Sequence, residues 1–194
     1  MGRPKQLLEM GGQALVVRAA QACFDAGIWP VVVVLGANSE LIKPALARLP
    51  VITAVNAAWA QGMAGSLRAG IATLQQFSRE VPAALICLCD QPGFSADAAQ
   101  RLQRAWQRRR EDKPGISGPI AASQYAGRMG APAIFDRSYF GALSNLKGDE
   151  GARALLQACG PEVMAVDLPE LAVDLDTPED YAAAVKNHGP RILP

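Results

Sequence analysis

Val31-Val32-Val33-Val34-Leu35 limits the fold more tightly than any other stretch of the chain. Four β-branched residues in a row disfavour helix, and they lack the alternation of a strand with one wet face. Such runs mark strands covered on both faces, as in parallel sheets. Parallel strands need crossover connections, usually helices, and the flanking sequence supplies them. Residues 14–26 carry apolar groups at helical spacing and end at Gly27, a natural C-cap. After the valine run, Gly36 and Asn38 make a turn, and Ser39 can cap a helix over 39–49.

The cycle repeats. A strand is expected at Val51 to Val55, then a helix opened by Gly62 and Gly65 that runs to about Gln76. Ala84 to Cys89 reads as the next buried strand. Asp90-Gln91-Pro92-Gly93 is its turn, and Ser95 caps a helix to about Arg110. Further strands are expected near Ile116–Ala121, Ala131–Phe135 and Val163–Asp167. A helix is expected near 150–158, and a final helix starts at Pro178. Strands alternating with helices give a three-layer, Rossmann-like α/β fold with a mostly parallel sheet and helices on both faces. The stretch 114–147 breaks the alternation and reads as a lid or small subdomain over the active edge.

The chain has 194 residues, suited to one domain that buries roughly 70% of its unfolded surface without disulfides or a structural metal. The 19 basic and 18 acidic residues leave a net charge of +1, so nothing argues for a nucleic-acid or membrane partner. Arg108-Arg109-Arg110 runs straight into Glu111 and Asp112 and reads as a solvated helix end. Cys23, Cys87, Cys89 and Cys159 form no C-x-x-C pair, and the single His188 is near the C-terminus, which disfavours a Cys/His zinc site. No signal peptide or long apolar span is evident, so a cytoplasmic address is the default.

Ligands of open α/β sheets bind beyond the carboxyl ends of the strands. Asp90 follows an apolar strand directly and is either a turn-capping residue or a ligand for a hard cation, which takes oxygen donors. Asp174 and Asp176 alternate on a short extended segment, and one of them can meet Asp90 across a cleft. Alternatively, Asp176 or Thr177 simply caps the last helix. Lys5 sits beside a glycine and a proline on a stiff N-terminal loop, as a surface residue or as a cation for phosphate. Asn56 through Ser66 links a strand to a helix, with Gly62 and Gly65 permitting close backbone approach. It is either a base-holding loop or a packing joint.

Taken in order, these segments resemble the MobA-like nucleotidyltransferases, the family of the molybdenum cofactor cytidylyl- and guanylyltransferases. Met1-Gly2-Arg3-Pro4-Lys5 is similar to the end of L-A-A-G-x-S-x-R-M-G-x-P-K. Asn56 to Ser66 is similar to N-x-x-W-x-x-G-M-x-x-S, and Cys89-Asp90-Gln91-Pro92 to the C-D-Q-P metal-binding turn. Asp174-Leu175-Asp176-Thr177-Pro178-Glu179-Asp180 is similar to D-I-D-T-P-E-D. Gly127-Arg128-Met129-Gly130-Ala131-Pro132 and Gly148-Asp149-Glu150-Gly151-Ala152-Arg153 resemble the family's G-x-x-G-x-P and G-D-x-G-A-R segments.

The resemblance implies a nucleotide-diphospho-sugar transferase type of fold and a magnesium-dependent transfer of NMP from CTP or GTP to a phosphate acceptor such as molybdopterin. Lys5 would bind phosphates. Asn56, Gly62 and Ser66 would help hold the base, and Asp90 and Asp176 would hold Mg2+, with Asp174 as the fallback. Gly130, Pro132 and Asp149 would border the acceptor pocket. The Gly2-Arg3-Pro4-Lys5-Gln6-Leu7-Leu8 form is nearer the cytidylyl branch.

The family's opening strand and L-A-A-G-x-S-x-R loop precede the point where this sequence starts. The expectation is therefore a single domain over 1–194 without that strand. Either the true start is roughly 10–15 residues upstream, a strand and its loop, or the chain is truly short and either impaired or specialised as a binder. Two other functions fit the same pattern. One is an accessory protein that delivers molybdenum cofactor to a molybdenum hydroxylase. The other is a Rossmann-like oxidoreductase, although no G-x-G-x-x-G follows any strand.

Overall fold

The computed structural model describes residues 4–112, 118–175 and 177–188. A 3-10 turn at Lys5–Leu7 leads into a small antiparallel ribbon, β1 (Glu9–Met10) with β2 (Gln13–Ala14), and then α1 (Leu15–Asp25). Next come β3 (Val32–Leu35), the single turn α2 (Ser39–Ile42), β4 (Ile52–Val55), α3 (Met63–Phe77) and β5 (Ala83–Ile86). The chain continues through α4 (Ala96–Asp112), β6 (Ile120–Tyr125), β7 (Arg128–Asp136), α5 (Phe140–Asn145), α6 (Ala152–Cys159), β8 (Val163–Asp167) and α7 (Pro178–His188). No helix among the described residues is long and apolar enough to cross a membrane.

The three-layer α/β class is the one expected, and its sheets are open and mixed. β3 and β4 pair in parallel, from Val32 opposite Ile52 to Leu35 opposite Val55. The larger sheet has the order β5-β7-β6-β8, with β6 and β8 parallel and β7 running against both neighbours. One face of that sheet is covered by α1 and α4 through Ala20, Cys23, Ala98, Leu102 and Trp106. The other is covered by α3, α5 and α6 through Ile71, Leu74, Phe140, Leu143 and Leu156. Along β7, Ile134 joins the first cluster while Ala133 and Phe135 join the second, the two-residue period of a strand buried on both sides.

Four expectations are corrected. Residues 118–147, the described part of the stretch 114–147, are not a lid: within them β6 and β7 form a hairpin at the centre of the large sheet, turning at Ala126 and Gly127, both with positive φ. β6 begins only after Gly118-Pro119, because a proline has no N–H for a ladder. The 39–49 helix stops after one turn and continues as a 3-10 segment, Lys43–Leu46, where Pro44 removes a donor. The strand expected to reach Cys89 leaves the ladder at Ile86. The next position of β7 in register is Pro132, which has no N–H to give.

Among the described residues β3 pairs only with β4, and β5 only with β7. With one edge of β3 unpaired, Val32, Val33 and Val34 are half-buried rather than sealed on both faces. A cavity of about 420 Å³ opens where the chain enters the two strands, lined by Trp29, Phe77, Val81, Leu85, Trp106 and Ile134 among others.

Candidate active site

Because β7 opposes β5 and β6, its first residues share an edge with the carboxyl ends of β5, β6 and β8. The expected ligand edge therefore gathers the turn after β5, the β6–β7 hairpin and the segment after β8. Asp90 lies at its centre. Its carbonyl accepts a hydrogen bond from Leu175 N at 3.0 Å. Leu175 is fully buried with Met10, Leu15 and Ala184, which fixes the 174–175 segment beside the turn. Apolar packing thus delivers the second acidic segment to the first.

Lys5 reaches the same place from the other end of the chain. Leu7 and Leu8 pack into two neighbouring apolar clusters, and the 3-10 turn between Pro4 and Leu8 presents Lys5 Nζ 3.3 Å from Asp90 Oδ2. The two side chains are 30% and 28% exposed, so the pair contributes little stability in solvent. What it provides is a cation and an anion held together on the open edge.

The rest of the acidic cluster has defined tasks. Thr177 is the cap of α7. Its N–H and hydroxyl donate to Asp180 Oδ2 at 2.9 and 2.7 Å, and Asp180 N donates back to Thr177 Oγ1 at 3.1 Å. This reciprocal box satisfies the helix start. Asp174 takes Arg128 Nη2 at 3.4 Å. Asp176, expected to share a metal with Asp90, lies outside the described residues, as do Met1 to Arg3.

Asn56 and Ser66 are brought together: Asn56 Nδ2 donates to Ser66 Oγ at 3.1 Å, and Asn56 Oδ1 accepts from Ala58 N at 3.0 Å. Asn56 is 7% exposed, so its amide ties the end of β4 to α3. A Cβ on Gly65 would come within 3.0 Å of Asn56 Nδ2. Gly62 has φ +111°, and a Cβ there would sit 2.2 Å from Gly148 O. Ala64 N donates to that same carbonyl at 3.1 Å. The loop before α3 is thus pressed onto the Gly148-Asp149 loop.

The three residues expected to border an acceptor pocket divide. Asp149 is exposed beside Gly62. Gly130 and Pro132 are buried within β7, where Ser123 Oγ donates to Pro132 O at 2.6 Å and a Cβ on Gly130 would meet Tyr125 Oη at 2.7 Å. Two residues not singled out as site candidates join this edge. Gln91, 4% exposed, donates from Nε2 to Tyr125 Oη at 3.1 Å, and Tyr125 Oη donates to Ala131 O at 2.9 Å. The sequence showed Gln91 only as part of a turn. Its burial was the missing signal.

Burial pushes the Cys89 thiol up to about 11, with the Asp90 charge adding to the shift. It is therefore a neutral thiol at physiological pH, unsuited to nucleophilic catalysis. Among the described residues no group of three or more His, Cys, Asp or Glu could cage a metal. Magnesium commonly binds through one or two carboxylates plus phosphate oxygens. Asp90 supplies one such carboxylate, with a lysine beside it.

The family model described as MobA-like NTP transferase domain matches residues 1–163. A protein of Paenarthrobacter nicotinovorans called nicotine blue oxidoreductase is 32% identical over 187 residues, covering 92% of this chain and 87% of that one. The structure of Rv0371c from Mycobacterium tuberculosis, a complex with manganese, superposes with TM-score 0.73 at 25% identity and covers 95% of this chain and 93% of the other. A nucleotidyl transferase from Methanothermobacter shares the fold, with TM-score 0.76 at 18% identity over 95% and 84% of the two chains.

Proposed function

The chain belongs to the MobA-like NTP transferase family, and we propose that it transfers a nucleoside monophosphate, CMP in preference to GMP, to the phosphate of an acceptor such as molybdopterin. The observation that carries this reading is the Lys5–Asp90 pair on the carboxyl edge of the sheet, with Leu175 N anchored to the Asp90 carbonyl. Lys5 pairs with Asp90 when no phosphate is present and neutralises phosphate charge when one is. Asp90, with Asp176 as its partner, holds Mg2+. The ion supplies charge neutralisation on the transferred and leaving phosphates. The joint between β4 and α3, with Asn56, Gly62 and Ser66, positions the nucleoside.

An acceptor phosphate oxygen forms the new bond to the α-phosphorus while the bond to the bridging oxygen of the β-phosphate breaks, and pyrophosphate leaves. The acceptor is already an anion at neutral pH, so no protein base is needed. Orientation and electrostatics supply the rate. Gly130, Pro132 and Asp149 shape the acceptor side, the first two from beneath the surface. The preference for CTP rests on the form of the segment ending in Lys5. The manganese complex of Rv0371c supports a divalent ion. The cores that join Val32 and Val33 of β3 with Leu85 and Ile86 of β5 support a single domain.

Titration calorimetry with CTP and GTP, with and without magnesium, followed by pyrophosphate release with an acceptor, tests the reading. Absence of magnesium-dependent nucleotide binding would overturn it. The relative called nicotine blue oxidoreductase favours a second reading, reduction of a small molecule by a nicotinamide cofactor. NADPH binding in the same calorimeter would select that one. Acceptor binding without nucleotide would select a cofactor-delivery protein.

A further inference from the structure

Gln91 is buried, yet its side chain is only half satisfied. Nε2 donates to Tyr125 Oη, while Oε1 has no partner among the described residues. A buried amide with an unpaired carbonyl costs stability, so packing alone does not account for it. The tether continues from Tyr125 Oη to Ala131 O in β7, 2.9 Å away. Gly130 leaves the space the hydroxyl occupies, since a Cβ there would stand 2.7 Å from it. On the backbone side, Gln91 O accepts from Phe94 N at 3.1 Å, and the Asp90 carbonyl accepts from Leu175 N at 3.0 Å. The turn is thus held at three points, and two of them belong to Gln91.

We propose that Gln91 is a positioning residue, which sets the Asp90 carboxylate for its metal and phosphates through Tyr125 and the β6–β7 hairpin. The proposal rests on the nucleotidyltransferase reading. Adjacent Cα atoms are fixed at about 3.8 Å, so a Gln91 released from the hairpin carries Asp90 with it. A displacement on the order of 1 Å is enough to cost phosphoryl-transfer geometry about a hundredfold in rate. Stability responds differently. Gln91→Leu removes one hydrogen bond but also the unpaired carbonyl, and such exchanges are close to neutral.

The test uses Mn2+ as a paramagnetic probe, with free ion read by EPR in the presence of CTP and no acceptor. Gln91→Leu and Tyr125→Phe are each expected to weaken Mn2+ binding about tenfold, in the range for residues that orient a metal ligand, with the Gln91→Leu melting temperature close to wild type and that of Tyr125→Phe lower by a few degrees, because it leaves Gln91 Nε2 unpaired. The double variant is expected to be no weaker than the weaker single variant, because both act through one tether. Tyr125→Phe keeps the ring and the space over Gly130, so it decides the matter even if Gln91→Leu folds poorly. Mn2+ affinity within twofold of wild type in both variants would overturn the proposal. Wild-type protein that binds no Mn2+ with CTP would overturn the underlying function instead.

Discussion

Gly62→Ala is the sharpest perturbation of the loop that joins β4 to α3. The new Cβ would lie 2.2 Å from Gly148 O, 2.3 Å from Gly148 C and 2.7 Å from Asp149 N. These are backbone atoms, which no rotamer change can clear. The φ of +111° is essentially reserved for glycine, and an alanine held there costs roughly 1–3 kcal/mol. Forcing the two loops apart adds about 1–3 kcal/mol. Stretching the Ala64 N to Gly148 O bond, now 3.1 Å, removes about 1 kcal/mol. The total is about 3–7 kcal/mol, or roughly 10–20 °C in melting temperature for a domain of this size. Gly148→Ala is the control. Its φ of +56° costs about 1–2 kcal/mol, and nothing lies within 4 Å of its Cβ. Thermal unfolding followed by circular dichroism compares the two. A Gly62→Ala protein that melts no lower than Gly148→Ala would refute the close-contact reasoning.

Asp90→Asn should abolish magnesium-dependent nucleotide binding in calorimetry while leaving the melting temperature within about a degree, because its ion pair with Lys5 is partly exposed. Thr177→Ala removes the hydroxyl's two bonds, to Asp180 Oδ2 and from Asp180 N, leaves the backbone bond from Thr177 N, and should cost about 1 kcal/mol, or roughly 2–4 °C in thermal melts. Cys89 holds its proton more tightly in the folded state than in the unfolded chain. Its contribution to stability is therefore present below the free-thiol value of 9.0 and is lost as pH rises toward about 11. Alkylation of Cys89 by iodoacetamide, read by mass spectrometry, should be slow at pH 8 and accelerate toward pH 11. Rapid labelling at pH 8 would contradict the raised thiol.

Much of the fold was legible because its signals were local. Val163–Asp167 is found as expected, and the helices expected at 14–26 and from Gly62 to about Gln76 are Leu15–Asp25 and Met63–Phe77. The 114–147 stretch misled because its strands pair with each other and with β5 and β8, and such long-range pairing leaves no periodic mark beyond a short apolar run. At the site, Asp90 and Lys5 stood out by residue type and position, although 85 residues separate them. Thr177, rather than the carboxylate before it, emerged as the α7 cap only from the donors of Asp180. Gln91 and Tyr125 were hidden because a polar residue in a turn looks exposed until its neighbours are known.

The break between the two sheets has a mechanical consequence. Asn56 and Ser66 belong to the body built on β3, β4 and α3, whereas Asp90 and Leu175 belong to the body built on β5 to β8. Among the described residues no ladder of hydrogen bonds fixes one body to the other. The fastening comes instead from packing and a few bolts: Ala64 N on Gly148 O, and Arg68 Nε and Nη2 on Ser144 O and Leu146 O at 2.9 and 3.2 Å. A nucleotide gripped by its base in one body and its phosphates in the other would act as a clasp across the seam. It would then hold both bodies against unfolding as one unit, by an amount set by its concentration relative to its Kd.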